Sequence, residues 1–135
     1  MISYAENKQL KQSDLSRLYT SVGWSSYTSN PDLLEKAFIH SLATITAWEH
    51  EQLIGLIRVV GDGYTIIYIQ DILIHPDFQN QNVGTHLMSK ILSKYKNVRQ
   101  KVLLTDEAID VRHFYEKFDF ASCDRGKTVA FYREF

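Results

Sequence analysis

Three strand-patterned stretches follow one another between Leu42 and Ile74 with only short turns between them, and this restricts the fold more than any other feature. Leu42 to Glu49 and Leu53 to Val60 are rich in β-branched, aromatic and aliphatic residues, and His50-Glu51-Gln52 turns the chain between them. Gly61-Asp62-Gly63 turns it again. Tyr64 to Ile74 then runs as a long strand that His75-Pro76 ends, because proline has no amide to donate. Connections this short join only antiparallel neighbours, so the three stretches form a meander.

Helical patterns stand on either side of the meander. Residues 2–6 read as a short strand. Ser13 caps a helix with Leu15, Leu18 and Val22 on one face, and Gly23 ends it. Trp24 to Ser29 reads as a loop. Asn30-Pro31 opens a second helix, a capping side chain followed by a φ preset for the first turn, with Leu33, Leu34, Ala37 and Phe38 in it. After the meander, a helix from about Val83 to Tyr95 lines up Val83, Leu87, Ile91 and Leu92. Gln100 to Leu104 is a strand and Asp106 to Phe118 a helix. Residues 120–131 are expected to hold two short strands around Asp124-Arg125-Gly126. This order is α+β with a mixed, mainly antiparallel sheet, read as one domain over residues 1–135.

Composition narrows the function. With 15 basic and 16 acidic residues the net charge is -1, without the basic surplus of a nucleic-acid binder, so no nucleic-acid partner is expected. The single Cys123 forms no internal disulfide and suits a reducing compartment. No apolar run approaches the ~20 residues of a membrane span. Met1 to Glu6 has no basic stretch leading into an apolar one. The expectation is a cytoplasmic protein with no membrane partner. His40, His50, His75, His86 and His113 show no metal-ligand spacing, so no metal is expected.

The segment Ile72 to Leu87 points to chemistry. A strand stops, a polar loop follows and a helix begins. The first amides of a helix lack internal partners and lie at the positive end of its dipole, which suits a phosphate. Gly84 lets the backbone approach a ligand, and Asn82 is one of the few side chains that tolerate positive φ. The same pattern also fits an ordinary strand-to-helix turn capped by Asn82.

His75-Pro76-Asp77-Phe78-Gln79-Asn80-Gln81-Asn82-Val83-Gly84 resembles the acetyl-CoA signature of the GNAT family of N-acetyltransferases: Arg or Gln, two variable residues, Gly, one variable residue, then Gly or Ala. Gln79 and Gly84 match its ends, and Asn82 replaces the first Gly. Arg112-His113-Phe114-Tyr115-Glu116-Lys117-Phe118-Asp119-Phe120 is similar to a second family pattern, Tyr-Glu-Lys, an apolar residue, then Gly-Phe, with Asp119 in the glycine's place. Ala108 stands where the family often has an Asn cofactor contact. The two motifs lie about 30 residues apart with a helix and a strand between them, and the resemblance covers nearly the whole chain.

The resemblance implies a GNAT-like sheet with helices on both faces and acetyl-CoA as co-substrate. It implies direct attack of a primary amine on the thioester in a ternary complex. Backbone of Ile72, Leu73 and Ile74 would hold the pantetheine arm. Gln79, Asn80, Gln81, Asn82, Val83, Gly84 and Thr85 would bind the pyrophosphate. Tyr115 would return a proton to the departing thiolate, a step suited to a phenol of ordinary pKa about 10; without the motif, Tyr115 reads as one more aromatic on a packed helix. In strict alternation Asp71 shares a face with Ile67, Ile69 and Leu73. A carboxylate there is either catalytic or a hydrogen-bonded structural group. Tyr68, on the other face with Gln70 and Ile72, stands where some members of the family place a basic Glu. That leaves the amine's proton to a water chain. Trp24 and Tyr27 lie on the loop that walls the acceptor in the family, where they contact substrate or cover the core edge. The acceptor is expected to be a small-molecule amine; a protein N-terminus, a lysine, or a non-catalytic acyl-CoA-sensing role are the alternatives. Members of the family often pair, which admits a homodimer.

Overall fold

The computed structural model describes residues 1–7 and 9–135. Met1–Leu103 and Leu104–Phe135 form two compact units. The first contains β1 (Ile2–Glu6), α1 (Gln12–Ser21), α2 (Ser25–Thr28), α3 (Pro31–Ile39), β2 (Ala43–Glu49), β3 (Gln52–Gly61), β4 (Ile66–Ile74), α4 (Val83–Lys94) and β5 (Gln100–Leu103). The strands make one sheet in the order β1-β2-β3-β4-β5. The first four are antiparallel and β5 joins β4 in parallel. The expected meander and mixed α+β sheet are therefore present. Among the described residues no helix is long and apolar enough to cross a membrane.

Local chemistry accounts for the joints. The Asn30 side chain accepts a hydrogen bond from the Leu33 amide at 3.2 Å, and Pro31 begins α3. In the β3–β4 turn the Asp62 carboxylate accepts from the amides of Tyr64, Thr65 and Ile66 and from the Thr65 hydroxyl. These bonds hold its carboxyl well below the usual carboxylate range. Two expectations for the N-terminal helices shift. α1 begins at Gln12, with Lys11 rather than Ser13 at its N-cap and no capping side chain. The Trp24 to Ser29 loop contains one helical turn.

Helices cover both faces of the first unit, and β3 shows how. Leu56 packs with Tyr19, Phe38 and Leu73 in the core under α1 and α3. On the opposite face, a Cβ on Gly55 would lie 3.5 Å from a methyl of Val83, the first residue of α4, and 3.2 Å from the Leu73 carbonyl oxygen. A side chain at 55 would therefore push α4 off the sheet. Gly55→Val is expected to cost about 1–3 kcal/mol by overpacking. Urea unfolding will measure it, and a variant as stable as the wild type rejects the account.

The second unit contains α5 (Ile109–Glu116) and a 3₁₀ turn at Cys123–Arg125. Asp119 follows the helix at φ 66°, so Asp makes the left-handed turn in the glycine's place. Arg112 binds Glu107 and Asp124, and Arg125 binds Glu116. The two strands expected over residues 120–131 are absent: the segment pairs with no strand among the described residues, and Phe131 is 94% exposed. Phe120 and the Thr128 to Phe131 stretch suit strands, but without a ladder partner composition alone makes none.

Candidate functional site

The site grows from an irregularity in β4. Arg58 of β3 pairs with Asp71, while its neighbour Val59 pairs with Ile69, so Gln70 is an extra residue with no cross-strand partner. Such a bulge aims two consecutive side chains to one side. Gln70 and Asp71 accordingly meet the same phenol, that of Tyr27. The bulge also corrects the strict-alternation reading. By register, Asp71 and Leu73 face α1 and α3 opposite Arg58 and Leu56, whereas Ile67 and Ile69 lie on the α4 face. Tyr68, opposite Val60, falls on the Asp71 face rather than across from it.

The bulge coincides with the end of β5. The β4–β5 ladder runs from Ile66 to Ile69 and stops. Beyond it, β4 pairs with β3 alone among the described strands. The His75 amide donates to the Ile54 carbonyl at 2.7 Å. The pleat therefore turns the backbone groups of Ile72 and Ile74 to the edge away from β3, while those of Leu73 face β3. The three residues expected to act together are thus two edge residues and one committed to the core, with the Leu73 side chain buried.

Asp71 is 3% exposed and fully engaged. Its Oδ2 accepts from Arg58 Nε at 2.9 Å and Tyr19 Oη at 2.8 Å. Its Oδ1 accepts from Tyr27 Oη at 2.7 Å. Arg58 also donates to Ser41 Oγ at 3.3 Å and lies over the Phe38 ring, 5.2 Å from its centroid. Burial pulls the Arg58 guanidinium down, and Asp71 and the two phenols more than offset it. Burial first, and the Asp71 charge second, push the Tyr19 and Tyr27 phenols above their ordinary range. Both stay protonated and act as donors. Trp24 and Tyr27 are half-buried and pack on Tyr19, with centroids 5.9 and 5.0 Å from its ring. They close the core here, and Tyr27 also touches the exposed Gln70.

At the β4–α4 junction, the His75 ring accepts from the Asp77 amide and begins a 3₁₀ turn, Pro76–Phe78. The Gln79 side chain donates to the Ile74 carbonyl at 3.1 Å, tying the loop to the strand end. Asn80 and Asn82 both adopt φ 65°. Asn82 is the N-cap of α4 in the left-handed conformation, yet its side chain makes no capping bond. The first bond of this turn runs from the His86 amide to the Asn82 carbonyl, so the amides of Val83, Gly84 and Thr85 have no intrahelical partner. The junction is thus not the ordinary capped turn, and it can bind an anion through its backbone. A hollow of about 450 Å³ lined by Tyr4, Phe78 and His86 reaches it at Gln81. A larger one, about 590 Å³, lies between β1 and α4 and includes none of the sequence-predicted site residues.

In the second unit Tyr115 is half-buried against Phe114 and Phe120, with ring centroids 5.2 and 6.0 Å away. Burial raises its phenol above the ordinary value, and a hydrogen bond with Thr105 offsets part of that.

Sequence reasoning missed Tyr19, Arg58 and Gln70. Tyr19 lies one helical turn beyond Leu15, and Arg58 is the one charge within Leu53 to Val60. A lone cation in one apolar strand and a lone carboxylate in the next was the available signal. For Gln70 there was none, because a bulge leaves no mark in the alternation.

A family model described as an acetyltransferase (GNAT) domain matches residues 11–132. A protein of Prochlorococcus marinus described as an uncharacterized N-acetyltransferase, ycf52-like, is 31% identical over 135 residues, covering 96% of this chain and 73% of its own length. The GNAT family acetyltransferase SP0256 of Streptococcus pneumoniae superposes with a TM-score of 0.89 at 30% identity, over 100% of this chain and 98% of that one. At 15% identity, an aminoglycoside N-acetyltransferase solved with CoA shares the fold, with a TM-score of 0.72 over 99% of this chain and 95% of that one.

Proposed function

This chain is an acetyltransferase of the GNAT family, and we propose that residues 1–135 form one catalytic domain moving an acetyl group from acetyl-CoA to a primary amine of a small molecule. The observation that carries this reading is the β4–α4 junction: a left-handed Asn82, uncapped first amides of α4, and a strand edge at Ile72 and Ile74 that β5 does not cover. In this reading the amides of the Gln79 to Thr85 segment bind the pyrophosphate, and the backbone of Ile72 and Ile74 hydrogen-bonds the pantetheine arm.

The amine nitrogen attacks the thioester carbonyl, and its lone pair forms the new C–N bond. The carbonyl π electrons move to oxygen. Collapse of that oxyanion expels the thiolate, which takes a proton from Tyr115, while the proton released by the amine passes to water. The phenol's ordinary pKa of about 10, raised further by burial, keeps the Tyr115 proton in place at neutral pH. Asp71, saturated by three donors, serves this site by positioning Tyr27 and Gln70 rather than by taking a proton. Trp24 and Tyr27 wall the acceptor side.

The test is CoA binding by calorimetry together with CoA release across an amine panel that includes peptide N-termini and lysine. Turnover with a small amine is the expected result. Turnover only with peptides reassigns the acceptor, and CoA binding without any turnover makes the protein an acyl-CoA sensor. Light scattering on the same preparation tests the homodimer that the resemblance admits.

The junction also predicts a binding change. A left-handed conformation costs an L-residue about 1–2 kcal/mol, and a β-branched side chain suffers most. Asn82→Val is therefore expected to weaken CoA binding by roughly tenfold, while Asn82→Gly, which keeps the angle at no steric cost, leaves it within about threefold. Equal affinity of Asn82→Val and wild type rejects the cradle.

A further inference from the structure

We infer that Gln70 receives the acceptor: its side-chain carbonyl Oε1 accepts an N–H of the attacking amine. The inference deepens the acetyltransferase reading and rests on it.

An ionised carboxylate only accepts hydrogen bonds. Asp71 is paired with Arg58, so the Tyr27 hydroxyl must spend its single proton on Asp71 Oδ1, 2.7 Å away. The Tyr27 oxygen can then only accept from its other neighbour, Gln70 Nε2, at 3.0 Å. That fixes which way the Gln70 amide is turned. Its NH₂ faces Tyr27, and its carbonyl oxygen faces away from that phenol, on an exposed residue. A buried ion pair thereby sets the polarity of a surface group through one phenol.

Position supports the role. Gln70 is the extra residue of the bulge, directly after Ile69, where β5 leaves β4 and the strand edge opens. The edge groups of Ile72 and Ile74, assigned to the acetyl donor, begin two residues further on. A fixed acceptor oxygen here suits a substrate that arrives with N–H bonds. Accepting one N–H leaves the lone pair of a neutral amine available to attack. An alcohol or thiol has a single hydrogen to offer and leaves Gln70 a poorer match.

Gln70→Met removes both polar atoms at similar length; it gives up the hydrogen bond to Tyr27 and leaves the bonds of Asp71 to Arg58, Tyr19 and Tyr27 in place. Steady-state kinetics with acetyl-CoA and the best amine of the panel will test it. Loss of one hydrogen bond to substrate should raise the amine KM by roughly tenfold. The KM for acetyl-CoA and the melting temperature should stay as in the wild type. An active wild type with an amine KM within twofold in Gln70→Met overturns this inference alone, as does an equal rise in both KM values. A wild type that turns over no amine overturns the acetyltransferase reading and this inference with it.

Discussion

Asp71→Ala will lose about 3–5 kcal/mol of folding free energy, because removing one partner of a buried ion pair strands the other. Arg58 is 5% exposed and would retain its charge beside the Ser41 hydroxyl and the Phe38 ring, without the Asp71 carboxylate that balances it. The Tyr19 hydroxyl, fully buried, would lose its acceptor as well. Against a total of about 5–15 kcal/mol for a typical domain, one substitution would bring the protein near its unfolding threshold. Denaturant unfolding of the single variant and of Asp71→Leu combined with Arg58→Met separates charge from packing. Exchange of a buried pair for apolar side chains is often neutral, so the double variant should regain most of the loss. A single variant within about 1 kcal/mol of wild type would show that the pair is dispensable, the usual outcome for an exposed ion pair.

Tyr115→Phe will lower kcat by about a hundredfold or more, the range expected when a general acid is removed. The sign of the pH dependence follows from the protonation state required. The acid works while the phenol holds its proton. Burial raises its pKa from the ordinary 10, so wild-type activity should persist through neutral and mildly alkaline pH and fall only above that value. The phenylalanine variant has no proton to lose, and its low rate should stay flat over the same interval. A pH–rate profile of kcat for both proteins decides the point. A variant with wild-type rate and the same alkaline fall would remove Tyr115 from the chemistry and leave it as one member of an aromatic cluster with Phe114 and Phe120.

The sheet was legible because its strands are written as alternating or wholly apolar runs, and the turns at Gly61-Asp62-Gly63 and His75-Pro76 carry their own chemistry. The left-handed angle at Asn82 was legible for the same reason: few residue types tolerate it. What the sequence hid is long-range. Tyr19 and Asp71 lie 52 positions apart and meet only once α1 packs on the sheet. The Gln70 bulge is a property of the β3–β4 pairing and not of either strand alone. The C-terminal segment failed in the opposite sense, since residues 120–131 contain short strand-like stretches that pair with no strand among the described residues.

The extra residue in β4 also separates two kinds of change. Val59 keeps Ile69 and Arg58 keeps Asp71 as partners on either side of it, so the count of the sheet closes whether Gln70 is there or not. Mutational drift at this position leaves the register of every neighbouring core residue alone. One strand therefore holds a register-bound scaffold and a register-free position side by side, so a substitution at Gln70 can change the group offered to the acceptor without requiring a new fold.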